Sequence, residues 1–154
     1  IENIDNINLK PNSVDCIMMW HVLEHIPKLE ETLNLLKGYL KNNGKIIIAV
    51  PNSASYDAKH YKENWAAYDV PRHLTHFQKE SMKKLVTSQG LKVVNQKPML
   101  FDSFYVSMLS EKIKTGNIKF IKGTLIGLLS NLSALLINKE YSSIIYTIKS
   151  EKAK

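Results

Sequence analysis

One cysteine, one arginine and six scattered glycines are the scarcities that say most about this 154-residue chain. The lone Cys16 excludes a disulfide within the chain. Set in an apolar strand, it is expected to be a buried, inert thiol. That suits a reducing compartment, and a cytoplasmic location is expected. Lysine supplies 20 of the 21 basic residues, and the single Arg72 stands in a loop with His73 and His76. No Gly-x-Gly occurs, so the chain lacks the kind of glycine loop that lets backbone close on a ligand at a helix start. There is no internal repeat and no low-complexity segment. The first residue is not Met, and the polar run Asn3 to Asn8 reads as a boundary within a longer gene, so a missing signal peptide says little.

Long apolar runs are also missing. The richest stretch, 118–137, is interrupted by Lys119, Lys122, Gly123, Gly127 and Asn131, which argues against a membrane span of about 20 residues. A helical cap over residues 101–140, or an oligomer interface, is expected there. An interfacial amphipathic helix making peripheral membrane contact is the alternative.

What is present fits a globular protein of one domain, 1–154, with 44% hydrophobic and 23% charged residues. The net charge is +7. A solvated lysine surface explains it; attraction to an anionic partner is the sharper reading. Basic and aromatic residues do not interleave as in single-strand nucleic-acid binders, so nucleic acid is disfavoured.

Residues 15–52 carry the main pattern. Val14 to Trp20 reads as a buried strand following a Pro-Asn-Ser turn. Pro27 suits a helix start, and Leu29, Leu33, Leu36 and Leu40 share one helical face. Glu30 and Glu31 early, and Lys37 and Lys41 late, follow the helix dipole. Gly44 reads as the helix stop. Lys45 to Val50 is apolar and β-branched, as expected of a parallel strand covered on both faces. The unit is therefore strand–helix–strand with a right-handed crossover. Its polar corner, Trp20-His-Val-Leu-Glu-His25, lies at the carboxyl end of the first strand, where open α/β sheets bind ligands. Residues 53–76 read as a long irregular connection, a type that is often functional. A helix over Lys79–Gln89 and strands over Leu91–Lys97 and Tyr141–Lys149 complete the pattern.

Trp20-His-Val-Leu-Glu-His-Ile-Pro27, Gly44-Lys-Ile-Ile-Ile-Ala-Val-Pro-Asn52, Trp65 and Asp69-Val-Pro-Arg-His-Leu-Thr-His-Phe77 together resemble the class I S-adenosylmethionine-dependent methyltransferases, over about residues 12–97. The likeness is greatest to the small-molecule branch that includes ubiquinone-type and polysaccharide-associated enzymes. It implies a Rossmann-like α/β fold with strand order 3-2-1-4-5-7-6 and an antiparallel seventh strand. This chain would hold strands four to seven, the C-terminal part of a methyltransferase domain. The implied activity is methyl transfer from S-adenosylmethionine to oxygen or nitrogen of a small metabolite, sugar-like or quinone-like. The family's glycine loop and its ribose-binding acid are not matched, so weak or absent cofactor binding and an inactive fragment are expected. A non-catalytic binding or scaffolding module using 118–137 is the rival.

By the resemblance, Trp20 and His21 line the cofactor. Arg72, His73 and His76 lie on the substrate side, Arg72 suited to an anionic group and one histidine to proton removal. His21, Glu24 and His25 plus a distant His resemble a metal site of some relatives. Glu24 bonding loop N–H groups is preferred, so no metal ligand is assigned. Asp5 is an adenine-side candidate, outweighed by a solvated loop role. Gln78 stands where the family usually has a Ser or Thr capping the next helix, so a weaker cap is expected there. An apolar strand 14–20 with a bare edge predicts a homo-oligomer through that edge.

Overall fold

The computed structural model describes residue 7 and residues 9–151; Asp5 lies outside them. Four strands, β1 (Val14–Trp20), β2 (Leu40–Pro51), β3 (Leu91–Pro98) and β4 (Ser143–Ser150), form one mixed sheet in the order β1-β2-β4-β3. β1 and β2 run parallel, with Ile17 opposite Ile46 and Trp20 opposite Ala49. β4 runs antiparallel to both β2 and β3. The helices flanking the sheet are α1 (Leu29–Tyr39), α2 (Tyr56–Tyr61), α3 (Lys79–Ser88), α4 (Asp102–Thr115) and α5 (Phe120–Ser133). This is the expected α/β architecture with its antiparallel last strand.

The main core lies on one face of the sheet. Ile46, Ile48 and Val50 of β2 alternate toward it, as do Ile144, Tyr146 and Ile148 of β4. Leu33 and Leu36 of α1 and Met82 and Val86 of α3 close over them. Each such side chain contributes about 1.5–3 kcal/mol by leaving water. On the opposite face Ala49 is buried and Ile47 half-buried, so β2 is covered more completely on one side than on the other.

Four local expectations are corrected. β1 is not a buried strand: Met19 alone is buried, Met18 and Trp20 are 70% and 51% exposed, and Cys16 is exposed too. β1 is an end strand of the sheet, so one side of it has no neighbour among the described residues. Gly44 does not stop the helix. The chain turns at Leu40, which already has extended backbone, and β2 runs on through Gly44. A Cβ at Gly44 would stand 3.0 Å from the Val14 carbonyl oxygen, so glycine serves the close approach of two strands. The stretch 53–76 is not wholly irregular. It holds α2, capped by Ser55 Oγ accepting from the Ala58 N–H, and two 3₁₀ turns. The start of α3 is not weakly capped either, because Ser81 Oγ accepts from the Gln78 N–H at 2.9 Å.

Between β3 and β4, α4 and α5 pack as a pair that departs from ordinary amphipathicity. α5 turns Gly123, Ile126, Gly127 and Ser130 inward and Ile121, Leu125, Leu128, Leu129 and Leu132 outward. A Cβ at Gly127 would meet Phe104 Cα at 2.8 Å, and one at Gly123 would meet Met108 Cα at 2.8 Å. Gly-x-x-x-Gly here lets two helix backbones approach closely.

Candidate functional site

β1 and β2 end, and antiparallel β4 begins, on the same side of the sheet. A cavity of about 780 Å³ opens there, bounded by His21, Pro51 and Ser143 at those three strand ends. The loop after α2 adds Ala67, Asp69, Arg72 and His73. α4 supplies Asp102 and an apolar wall of Tyr105, Val106, Leu109 and Ile113, with Lys112 among them.

His21 is the hinge of this site. Its φ of 51° is left-handed, uncommon outside glycine, and its N–H donates to the Ala49 carbonyl at 2.9 Å. That turn brings the imidazole between two carboxylates. Nδ1 lies 3.2 Å from Glu24 Oε1, and Nε2 lies 3.2 Å from Asp102 Oδ2. Hydrogen bonding to Asp102, then to Glu24, holds the His21 pKa up at about 9 against the opposing effect of burial. His21 is thus a cation at neutral pH and unsuited to accept a proton.

Glu24 is almost wholly buried, at 1% exposure, in a 3₁₀ turn over Leu23–His25. Its Oε1 serves His21, while Oε2 has no hydrogen-bond partner among the described residues. Its backbone carbonyl accepts from the N–H groups of Leu74 and Thr75, and His25 Nδ1 donates to the Arg72 carbonyl at 2.9 Å. The corner after β1 and the loop 69–76 are therefore stitched together.

His73 lies in this seam. Nδ1 donates to the Ala67 carbonyl at 2.8 Å, which turns Nε2 toward Asp69 Oδ2 at 3.8 Å and Glu24 Oε1 at 4.0 Å. Its ring meets that of His25 edge-on, with centroids 4.6 Å apart. Arg72 forks onto Asp69 Oδ1 through Nε and Nη2, at 3.1 and 2.6 Å, and is otherwise solvent-exposed. His76 is not among the cavity's lining residues; its Nε2 donates to the Tyr68 carbonyl at 2.9 Å and its ring packs edge-on against Tyr68. Trp20 does not line the cavity either; it stands exposed at the end of β1.

Glu24, His25 and His73 each bring one ligand atom within 4.8 Å of the others. Two imidazoles and a carboxylate have the chemistry for a divalent metal. His21, grouped with Glu24 and His25 by spacing, is not in that trio; its two nitrogens face the carboxylates of Glu24 and Asp102.

Sequence reasoning missed Asp102 and Asp57. Asp102 lies 81 positions from His21, and no local pattern joins them. Asp57 is fully buried and accepts from Trp65 Nε1–H at 2.8 Å, Ser142 Oγ–H at 2.7 Å and Ser130 Oγ–H at 2.6 Å. It ties α2, α5 and the approach to β4 behind the cavity. The one signal was a carboxylate at a helix start eight residues before a tryptophan.

Residues 2–96 match the family described as a methyltransferase domain. The chain belongs to that family. No curated protein matches the sequence. Among solved structures, a chain from the Haloferax volcanii complex of the Trm112 methyltransferase activator is 12% identical, with a TM-score of 0.63 over 99% of this methyltransferase-family chain and 60% of its own. An S-adenosylmethionine-dependent methyltransferase from Thermotoga maritima is 17% identical, with a TM-score of 0.60 over 97% of this chain and 61% of its own. The [4+2]-cyclase SpnF is 10% identical, with a TM-score of 0.57 over 98% and 54%. At such identities the likeness is one of fold, and the cyclase is a reminder that this fold serves more than one chemistry. The chain spans about 60% of the length of the first of these structures.

Proposed function

We propose that this chain is the substrate-side part of an S-adenosylmethionine-dependent methyltransferase that methylates oxygen or nitrogen of a small metabolite, sugar-like or quinone-like. The observation that carries this is the cavity at the strand ends, lined by a fixed cation, a poised imidazole and an apolar wall, with a buried carboxylate behind the two histidines. In this reading the four strands correspond to strands four to seven of the family's sheet.

The residues present fit the cofactor on the β1 side only. An exposed indole at Trp20 offers an aromatic face, and His21 is set between two carboxylates, leaving the trio with net negative charge. Trp20 and His21 would hold S-adenosylmethionine there, and when bound it supplies a methyl group on a cationic sulfur. None of the glycines could furnish the family's loop. Gly44 sits between strands, and Gly123 and Gly127 are spent on the α4–α5 contact. Weak or absent cofactor binding and no turnover by this chain alone follow.

His73 is the better general base of the two candidate histidines. It lines the cavity, and its Nδ1–H is already engaged by Ala67, so Nε2 is the atom that takes the acceptor's hydroxyl proton. Asp69 and Glu24, 3.8 and 4.0 Å away, stabilise the imidazolium that results. Arg72 and Lys112 at the rim suit an acceptor bearing an anionic group, while Tyr105, Leu109 and Ile113 hold its apolar body. Alignment of acceptor and methyl group supplies most of the rate in such transfers. His76 is left with a loop-bracing role.

Isothermal titration of S-adenosylhomocysteine tests the reading. It is run on this chain and on a fusion placing a family member's strand–Gly-x-Gly–helix half before it. Binding by the fusion alone is expected. Binding by neither form favours the non-catalytic module, for which the outward apolar residues of α5 speak. We also propose that β1, as an end strand, pairs with a strand of a second copy. Light scattering that shows only monomer at high concentration would count against it.

A further inference from the structure

We propose that the outward face of α5 is a docking surface for an anionic lipid bilayer, on which the helix lies flat. Phe120–Asn138 is continuous helix of 19 residues whose most apolar window has a mean hydropathy of 1.7, yet only 28% of that window is buried. Length and composition alone would allow it to cross a membrane. Its inward contacts argue for lying flat. Gly123 and Gly127 are fitted against the α4 backbone, and Ser130 donates to the buried Asp57. A span would strip those contacts and carry a hydroxyl into hydrocarbon. Lying on the surface keeps them and buries only what already faces outward: Ile121, Leu125, Leu128, Leu132 and, at the far end, Leu136.

Charge selects the occupant. From residue 112 to residue 139 there are five lysines and no aspartate or glutamate. Lys119 stands at the helix start and Lys139 just past its end, so cations bracket the aliphatic face; Lys122 is partly neutralised by Glu111 at 2.9 Å. Basic residues beside an inserted apolar face are attracted to anionic headgroups. A second copy docked on this face would instead set the same cations against each other. This inference does not depend on the methyl-transfer reading.

Flotation with phosphatidylcholine vesicles, with and without phosphatidylglycerol, tests it. The chain should float with the anionic vesicles and be released by salt. Leu128→Glu/Leu132→Glu, at exposed positions, should lower vesicle affinity by about tenfold or more with unchanged circular dichroism. Lys119→Gln/Lys139→Gln should weaken binding to anionic vesicles while leaving the fold intact. No flotation, or equal flotation with neutral vesicles, would overturn the proposal. So would a dimer in light scattering that the leucine variant dissolves without any vesicle binding, which would assign the face to a second copy.

Discussion

The sheet core and the α4–α5 pair solve the packing problem in opposite ways. Over the sheet, large side chains such as Ile46, Ile48, Leu33 and Met82 fill the interior. Between α4 and α5 the interior is mostly glycine and serine with the Glu111 carboxylate, Val106 and Ile126 being its larger apolar members, and most large side chains of α5 face outward. The first region is stabilised by volume leaving water, the second by close backbone approach. Only the first is what a stability-driven pattern would produce. The second keeps a surface that something other than folding must account for.

The largest effect that would break this comparison is Asp57→Ala. It orphans Trp65 Nε1–H and two serine hydroxyls in a buried site, at a cost of about 4 kcal/mol. Fluorescence of buried Trp65 in a urea titration would record it. Ile48→Ala, in the sheet core, is expected to cost about 3 kcal/mol by cavity formation, read as a lower denaturation midpoint. Gly127→Val forces a side chain against the Phe104 backbone and should cost about 2 kcal/mol; a loss near zero would mean the helices can part easily.

A smaller effect belongs to His21. Its pKa is about 9 in the folded chain against 6.5 for an ordinary histidine. The protonated form is the one the fold favours. The stabilisation is therefore complete below pH 6.5 and disappears as pH rises through about 9. After allowance for its partial exposure this is worth about 1–2 kcal/mol. The stability gap between wild type and His21→Gln should close across that window in denaturation curves. Leu129→Ser, on the outward face of α5, should change stability by less than about 0.5 kcal/mol, marking that side chain as unneeded by the fold.

The elements governed by local periodicity were legible from sequence. The leucine spacing of α1 through Leu36, the β-branched run within β2 and the Met82–Leu85–Val86 face of α3 lie where the pattern put them, whereas Leu40 and Lys41, read as the end of that helix, belong to β2. Gly44 misled because a glycine after a helix usually ends it, whereas here a neighbouring strand needed the space. Cys16 and Met18 misled because an apolar strand at the end of a sheet reads like a central one. Within the site, His21 was legible as a polar residue at a strand end, and Arg72 and His73 as members of the loop that the family resemblance puts on the substrate side; the cavity gathers all three. Asp102 and Asp57 were not, because their partners are distant in sequence and a lone aspartate announces nothing. The inversion of α5 was written in the small residues at 123, 127, 130 and 134, but an apolar stretch conceals which side turns inward.

The exposed sulfur of Cys16 lies midway along β1, and no second cysteine competes with it. A maleimide-linked spin label would therefore attach at one place only, without any engineered substitution. Its spectrum would broaden or sharpen according to what arrives alongside, which makes this thiol a native sensor of sheet extension.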